Sequence, residues 1–145
     1  MMKAILPSAG FATRLYPLTI DKPKALLEVN GKPIIEYCIE KLIHTKKVDE
    51  IIIVSNNKFY SMFLLWKKYY NPLIEISVLN NGANNLEERL GSIGDINYAI
   101  RKKEINEDVL IINSDNLFSF DLNKLIRYSY NKPSVITLFD VENVD

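Results

Sequence analysis

Three short runs, Ala4-Ile5-Leu6, Ile51-Ile52-Ile53-Val54 and Val109-Leu110-Ile111-Ile112, contain no polar residue. A strand with one wet face alternates apolar and polar positions, whereas an unbroken apolar run must be covered on both faces. Between the runs lie segments with helical spacing. Ile34, Ile35, Cys38, Ile39, Leu42 and Ile43 recur at intervals of three and four, behind a proline suited to a first helical turn. Strands are expected at 3–6, 25–29, 50–54, 74–79, 109–112 and 135–139. Helices are expected at 33–45, 57–70, 86–103 and 121–130, with Asp121 as N-cap of the last. Alternation of this kind predicts an α/β fold, a three-layer Rossmann-like domain with a mostly parallel sheet.

The chain has 145 residues, the size of one ordinary domain, and no composition break marks a linker, so 1–145 reads as one unit. Eighteen basic residues balance eighteen acidic ones, which argues against a nucleic-acid or membrane-surface binder. No apolar run is long enough to span a bilayer, and a cytoplasmic protein is the default. Cys38 is the one cysteine and His44 the one histidine. The first reads as a buried small hydrophobe. The second sits at a helix C-terminus, where a cation suits the dipole, and not as a catalytic group. The aromatic helix Phe59, Tyr60, Phe63, Trp66, Tyr69, Tyr70 suits core packing. Aromatics on more than one of its faces also fit a subunit contact, so a homo-oligomer stays open.

In open parallel sheets ligands bind beyond the carboxyl ends of the strands, where the strand order reverses. The loops after the strands are therefore the informative places. The first, 8–24, keeps Ser8, Ala9, Gly10 and Ala12 small, so backbone N–H groups can approach a ligand. Thr13 adds a hydroxyl, Arg14 a planar fork of donors suited to phosphate, and Lys24 a second positive charge. Neither a Walker A loop nor a GxGxxG fingerprint fits. An anion site is one reading and a solvated surface loop the other. After the run at Val109 comes Asn113-Ser114-Asp115-Asn116. A carboxylate beside a phosphate site needs a cation between them, and Mg²⁺ takes one or two carboxylates plus substrate phosphates. The competing reading is a carboxylate that caps the next turn. In 80–96, Asn80 and Asn81 carry amides able to read a base edge, while Gly91 and Gly94 interrupt helical propensity.

The stretch GFATRLYPLT followed by DKPKALLEV resembles the signature of nucleotidyltransferases that join a sugar 1-phosphate, or a similar phosphorylated acceptor, to a nucleoside triphosphate. Ser114-Asp115-Asn116 resembles that family's Gly-Asp-Asn metal motif, and the similarity runs along essentially the whole chain. The resemblance implies a Mg²⁺-dependent transferase whose partners are small phosphorylated molecules. Ala9, Gly10 and Thr13 would bind the nucleotide, Arg14 would hold the triphosphate, and Lys24 would contact phosphate near the transfer. Asp115 would bind Mg²⁺, and Asn80 and Gly91 would contribute to the base pocket. The chain departs from the pattern at Ala12, where the family has a second glycine, at Ser8 for alanine, and at Ser114 for glycine. Family members continue beyond position 145 and supply a second metal-binding aspartate and most of the sugar-phosphate site. Neither Asp140 nor Asp145 is matched to that aspartate. A nucleotide-binding or regulatory module without turnover is the alternative function. A flavodoxin-like or response-regulator-like domain is a third, weakened by Arg14 and by the lack of an acidic cluster after the first strand.

Overall fold

A computed structural model describes residues 1–138. Its main sheet holds four strands: β1 (Met2–Pro7), β4 (Val48–Ser55), β5 (Glu75–Asn80) and β6 (Val109–Ile111). All pair in parallel, in the spatial order β5-β4-β1-β6. Two further strands, β2 (Glu28–Val29) and β3 (Lys32–Pro33), form a small antiparallel hairpin. Both residues of its turn, Asn30 and Gly31, have positive φ (53° and 76°), as a twist-matched two-residue hairpin requires. The helices are α1 (Ile34–Thr45), α2 (Tyr60–Tyr69), α3 (Gly91–Lys102) and α4 (Leu122–Ser129).

The first two apolar runs are buried on both faces, whereas the third forms the end strand β6 of the described sheet, with Ile111 45% exposed. Ala4, Leu6, Ile51 and Ile53 pack with Ile35, Cys38, Ile39 and Leu42 of α1, Phe63 of α2 and Leu122 of α4. Their neighbours Ile5, Ile52 and Val54 point the other way, toward Ile96, Ala99 and Ile100 of α3. That is the three-layer arrangement the sequence predicts. Each fully buried Val, Leu, Ile or Phe side chain among them contributes about 1.5–3 kcal/mol by leaving water. Cys38 is 1% exposed, and burial pushes its thiol up to about 12. In α2, Phe63 is in the core, Trp66 stacks on Tyr70 and donates to Glu36 Oε1 at 2.9 Å, and Tyr69 is exposed. No described helix is long and apolar enough to cross a membrane.

The path β1→β4→β5 steps one way along the sheet, and the connection to β6 then jumps back past β1. Right-handed crossovers place helices on opposite faces when the direction of travel reverses, which is why, among the described residues, α3 lies on the face opposite α1 and α2. The reversal leaves β1 and β6 adjacent, in the register Ile5↔Ile111. The loops that follow these two strands thus leave the sheet side by side.

Some elements differ from expectation. Residues 25–29 are not one strand: Lys24–Leu26 is a 3-10 turn, and only Glu28–Val29 pair. The aromatic helix begins at Tyr60 because Asn56 Oδ1 accepts from Phe59 N (3.0 Å), holding residues 56–59 in a side-chain turn. Helix α3 begins five residues late, since Asn85 Oδ1 accepts from the N–H groups of Glu87 and Glu88 and stabilises a local turn instead. Residues 135–138 form no strand; Ile136 and Leu138 are exposed, and a β-branched run is a strand only beside a partner edge. Phe139 of that expected strand, with Asp140 and Asp145, lies outside the described residues.

Candidate functional site

The loops after β1 and β6 are bonded to each other. Ser8 Oγ lies 2.7 Å from Ser114 Oγ and 3.1 Å from the carbonyl of Leu6. These are two of the three positions at which the chain departs from the family pattern, and they are partners. The backbone of the first loop is tied back at two more points. Asn56, fully buried after β4, donates Nδ2 to the carbonyl of Ala9 at 2.9 Å. Thr19 Oγ1, also buried, donates to the carbonyl of Ala12 at 2.7 Å. Ala12 itself sits at φ 48°, ψ 39°, in the left-handed region where the family pattern has glycine.

With its carbonyls held, this loop leaves its donors unused. The N–H groups of Ala9, Gly10, Phe11 and Ala12 find no acceptor among the described residues. A run of successive backbone donors with no partner is a nest for an anion. The guanidinium of Arg14, on the exposed 3-10 turn Thr13–Leu15, also makes no ion pair among the described residues. A Cβ added to Gly10 would meet nothing within 4 Å, so the space beside it is open.

These groups line a cleft of about 950 Å³. Of the residues singled out in the sequence, Ala9, Gly10, Thr13, Arg14, Lys24, Gly91 and Asp115 all line it. Lys24 Nζ is 2.8 Å from Asp115 Oδ2, so cation and carboxylate meet across the two loops. Asn80 is not brought to the cleft. Its amide donates to Asn57 Oδ1 and accepts from Gly82 N, while its neighbour Asn81 lines the cavity.

The cleft also holds residues that the sequence reading did not select. Arg89 adds a third positive charge. Asp95, on the first turns of α3, is 5% exposed and accepts from Asn81 Nδ2 through Oδ1 at 2.7 Å. Burial pushes the Asp95 carboxyl above the usual range, and the Asn81 hydrogen bond opposes that shift. One signal was present: Asp95 lies four residues before Ala99 and so shares the apolar stripe of α3, an unusual place for a carboxylate. Among the described residues no group of three His, Cys, Asp or Glu side chains could hold a metal ion unaided.

Comparison with known proteins bears on the family and the fold. A protein-family model described as nucleotidyl transferase matches residues 3–145. A Sulfolobus acidocaldarius protein named as a mannose-1-phosphate guanyltransferase is 33% identical over 139 residues, covering 95% of this chain and 36% of its own length. The UTP–glucose-1-phosphate uridylyltransferase AglF of Haloferax volcanii is 28% identical, covering 99% of this chain and 55% of its own. Among solved structures, HddC from Yersinia pseudotuberculosis, complexed with GMP-PN, superposes with a TM-score of 0.72 at 25% identity, over 90% of this chain and 55% of that one. The chain thus spans from about a third to about half the length of the relatives it matches. With the signature loop, the doubly wound sheet and the family match in agreement, the chain belongs to the nucleotidyl transferase family.

Proposed function

We propose that this chain binds a nucleoside triphosphate at the nest of the first loop and transfers its nucleoside monophosphate to a sugar 1-phosphate or similar phosphorylated acceptor. A phosphate oxygen of the acceptor attacks the α-phosphorus. A new P–O bond forms, the bond to the bridging oxygen breaks, and pyrophosphate leaves with that electron pair. No protein nucleophile is required, and the cleft offers no histidine or cysteine. Such a site works by holding two anions in line and neutralising charge. The observation that carries this reading is the set of four unused N–H groups beside Arg14 and Lys24.

In this reading Arg14 grips the triphosphate tail through its planar donors, and Lys24 follows charge near the transferred phosphorus. Gly10 lets the nucleotide lie against the backbone. The donor set suits Mg²⁺ bound jointly with substrate: Asp115 is one hard oxygen ligand in a cleft where phosphates would supply others. Asp115 would hold the ion, which when bound supplies charge neutralisation on the phosphates.

Pyrophosphate release from a panel of nucleoside triphosphates and sugar 1-phosphates tests the proposal. Turnover that falls by several orders of magnitude in Arg14→Ala, with an unchanged melting curve, is expected. Near-normal rates in that variant would defeat the assignment. Nucleotide binding with no release for any acceptor would favour the non-catalytic nucleotide-binding module instead.

A further inference from the structure

The names of the relatives include both guanyl and uridylyl transfer, so family membership leaves the base open. Residues of this chain speak to it. Asp95 lines the cleft while 5% exposed, and only one of its oxygens is engaged, by Asn81. The other, Oδ2, has no hydrogen-bond partner among the described residues, and it is not among the atoms sealed from solvent. An unpartnered carboxylate oxygen of a largely buried residue, open to the cleft, gains from a ligand donor. Asn81 is used at Oδ1 by Ala83 N (3.0 Å) and at one N–H by Asp95. An amide nitrogen carries two N–H groups, so one remains for an acceptor.

Resting on the nucleotide-site reading above, we propose that Asp95, with Asn81, selects guanine as the base of the bound nucleotide. The edge of guanine presents an acceptor, O6, followed by two adjacent donors, N1–H and the 2-amino group. The spare N–H of Asn81 matches the first and the carboxylate of Asp95 the other two. Uracil and thymine place carbonyl oxygens on both sides of a single N–H, and a carboxylate repels them. Adenine and cytosine offer one amino group beside a bare ring nitrogen, which it also repels. Leu86 and Leu90 line the same cleft and supply apolar surface for the faces of the base.

The test is calorimetric titration of the chain with GTP, ITP, UTP, CTP and ATP in Mg²⁺. ITP differs from GTP only by lacking the 2-amino group. GTP is expected to bind tightest, with ITP weaker by roughly tenfold, the size of one good base contact. Asp95→Asn is expected to abolish the difference between GTP and ITP. Equal affinity for that pair in the unmutated chain, or tighter binding of UTP, CTP or ATP, overturns the inference while leaving the transferase reading standing. So does an Asp95→Asn variant weakened equally toward all five, which would make Asp95 a scaffold for Asn81. If the variant does not fold, the GTP to ITP ratio of the unmutated chain decides alone. Binding of none of the five would remove the nucleotide site and this inference with it.

Discussion

The ammonium of Lys24 stands 2.8 Å from Asp115 Oδ2, joining the loop after β1 to the loop after β6. Both side chains are about a third exposed (39% and 33%), so the pair contributes only about 0–1 kcal/mol to stability. Its consequence is for the order of events. A cation that reaches Asp115 without nucleotide competes with Lys24, whereas an arriving phosphate gives Lys24 another partner. Lys24→Met should therefore bind Mn²⁺ alone several-fold more tightly than the unmutated chain while binding nucleotide less well. Paramagnetic titration of Mn²⁺ measures the first effect, and an unchanged metal affinity would show that the pair does not guard the carboxylate.

Gly10 has no neighbour that a Cβ would strike and no positive φ. Gly10→Ala should melt within about 1 kcal/mol of the parent. It should nonetheless lose much of the stabilisation that added nucleotide gives, because the methyl group meets nothing among the described residues and would meet a ligand held in the cleft. A thermal-shift series with and without GTP separates the two. Loss of stability in the absence of nucleotide would mean that the loop is more crowded than described.

Ala12 occupies the left-handed region at a cost to an L side chain of about 1–2 kcal/mol, of which the greater freedom of glycine in the unfolded chain returns part. Ala12→Gly should stabilise the fold by about 0.5–1 kcal/mol in urea denaturation. A destabilised variant would show that the local energy lies elsewhere.

Glu50 is 6% exposed and meets Lys103, Lys3 (3.6 Å) and Ser77 Oγ (2.6 Å). Burial alone would raise its carboxyl. Hydrogen bonds from Lys103 and Ser77, with the charges of Lys103 and Lys3, outweigh this and hold it below the usual range. A depressed carboxyl contributes stability above its unfolded value, about 4.3, and loses it as pH falls through the folded value. Glu50→Gln should cost roughly 1–3 kcal/mol at pH 7 and progressively less below about pH 4. A gap between the two proteins that stays constant from pH 7 to 3 would contradict this.

Much of the fold was legible because burial on both faces leaves a plain mark. The runs at Ala4 and Ile51 are inner strands, the run at Val109 is an end strand of the described sheet, and the loops after the first and third of these line the cleft. What escaped was set by side-chain hydrogen bonds that do not follow from pattern. Asn56 and Asn85 delay two helices by capturing nearby N–H groups. The choice between Asn80 and Asn81 turned on one residue of register at the end of β5, which decides whether an amide braces Asn57 or faces the cavity. Asp95 was visible as a charge on an apolar stripe, but only the cleft beside it gives that charge a use.

Cys38 faces the core from α1 with its thiol pushed up to about 12, and it is the one cysteine of the chain. Thiol-directed dyes and spin labels attack the thiolate, so at neutral pH this sulfur is nearly silent toward them. A cysteine introduced in place of Arg89, at the cleft wall, would then label alone on the native background, and movement of that wall could be followed without first removing a core side chain.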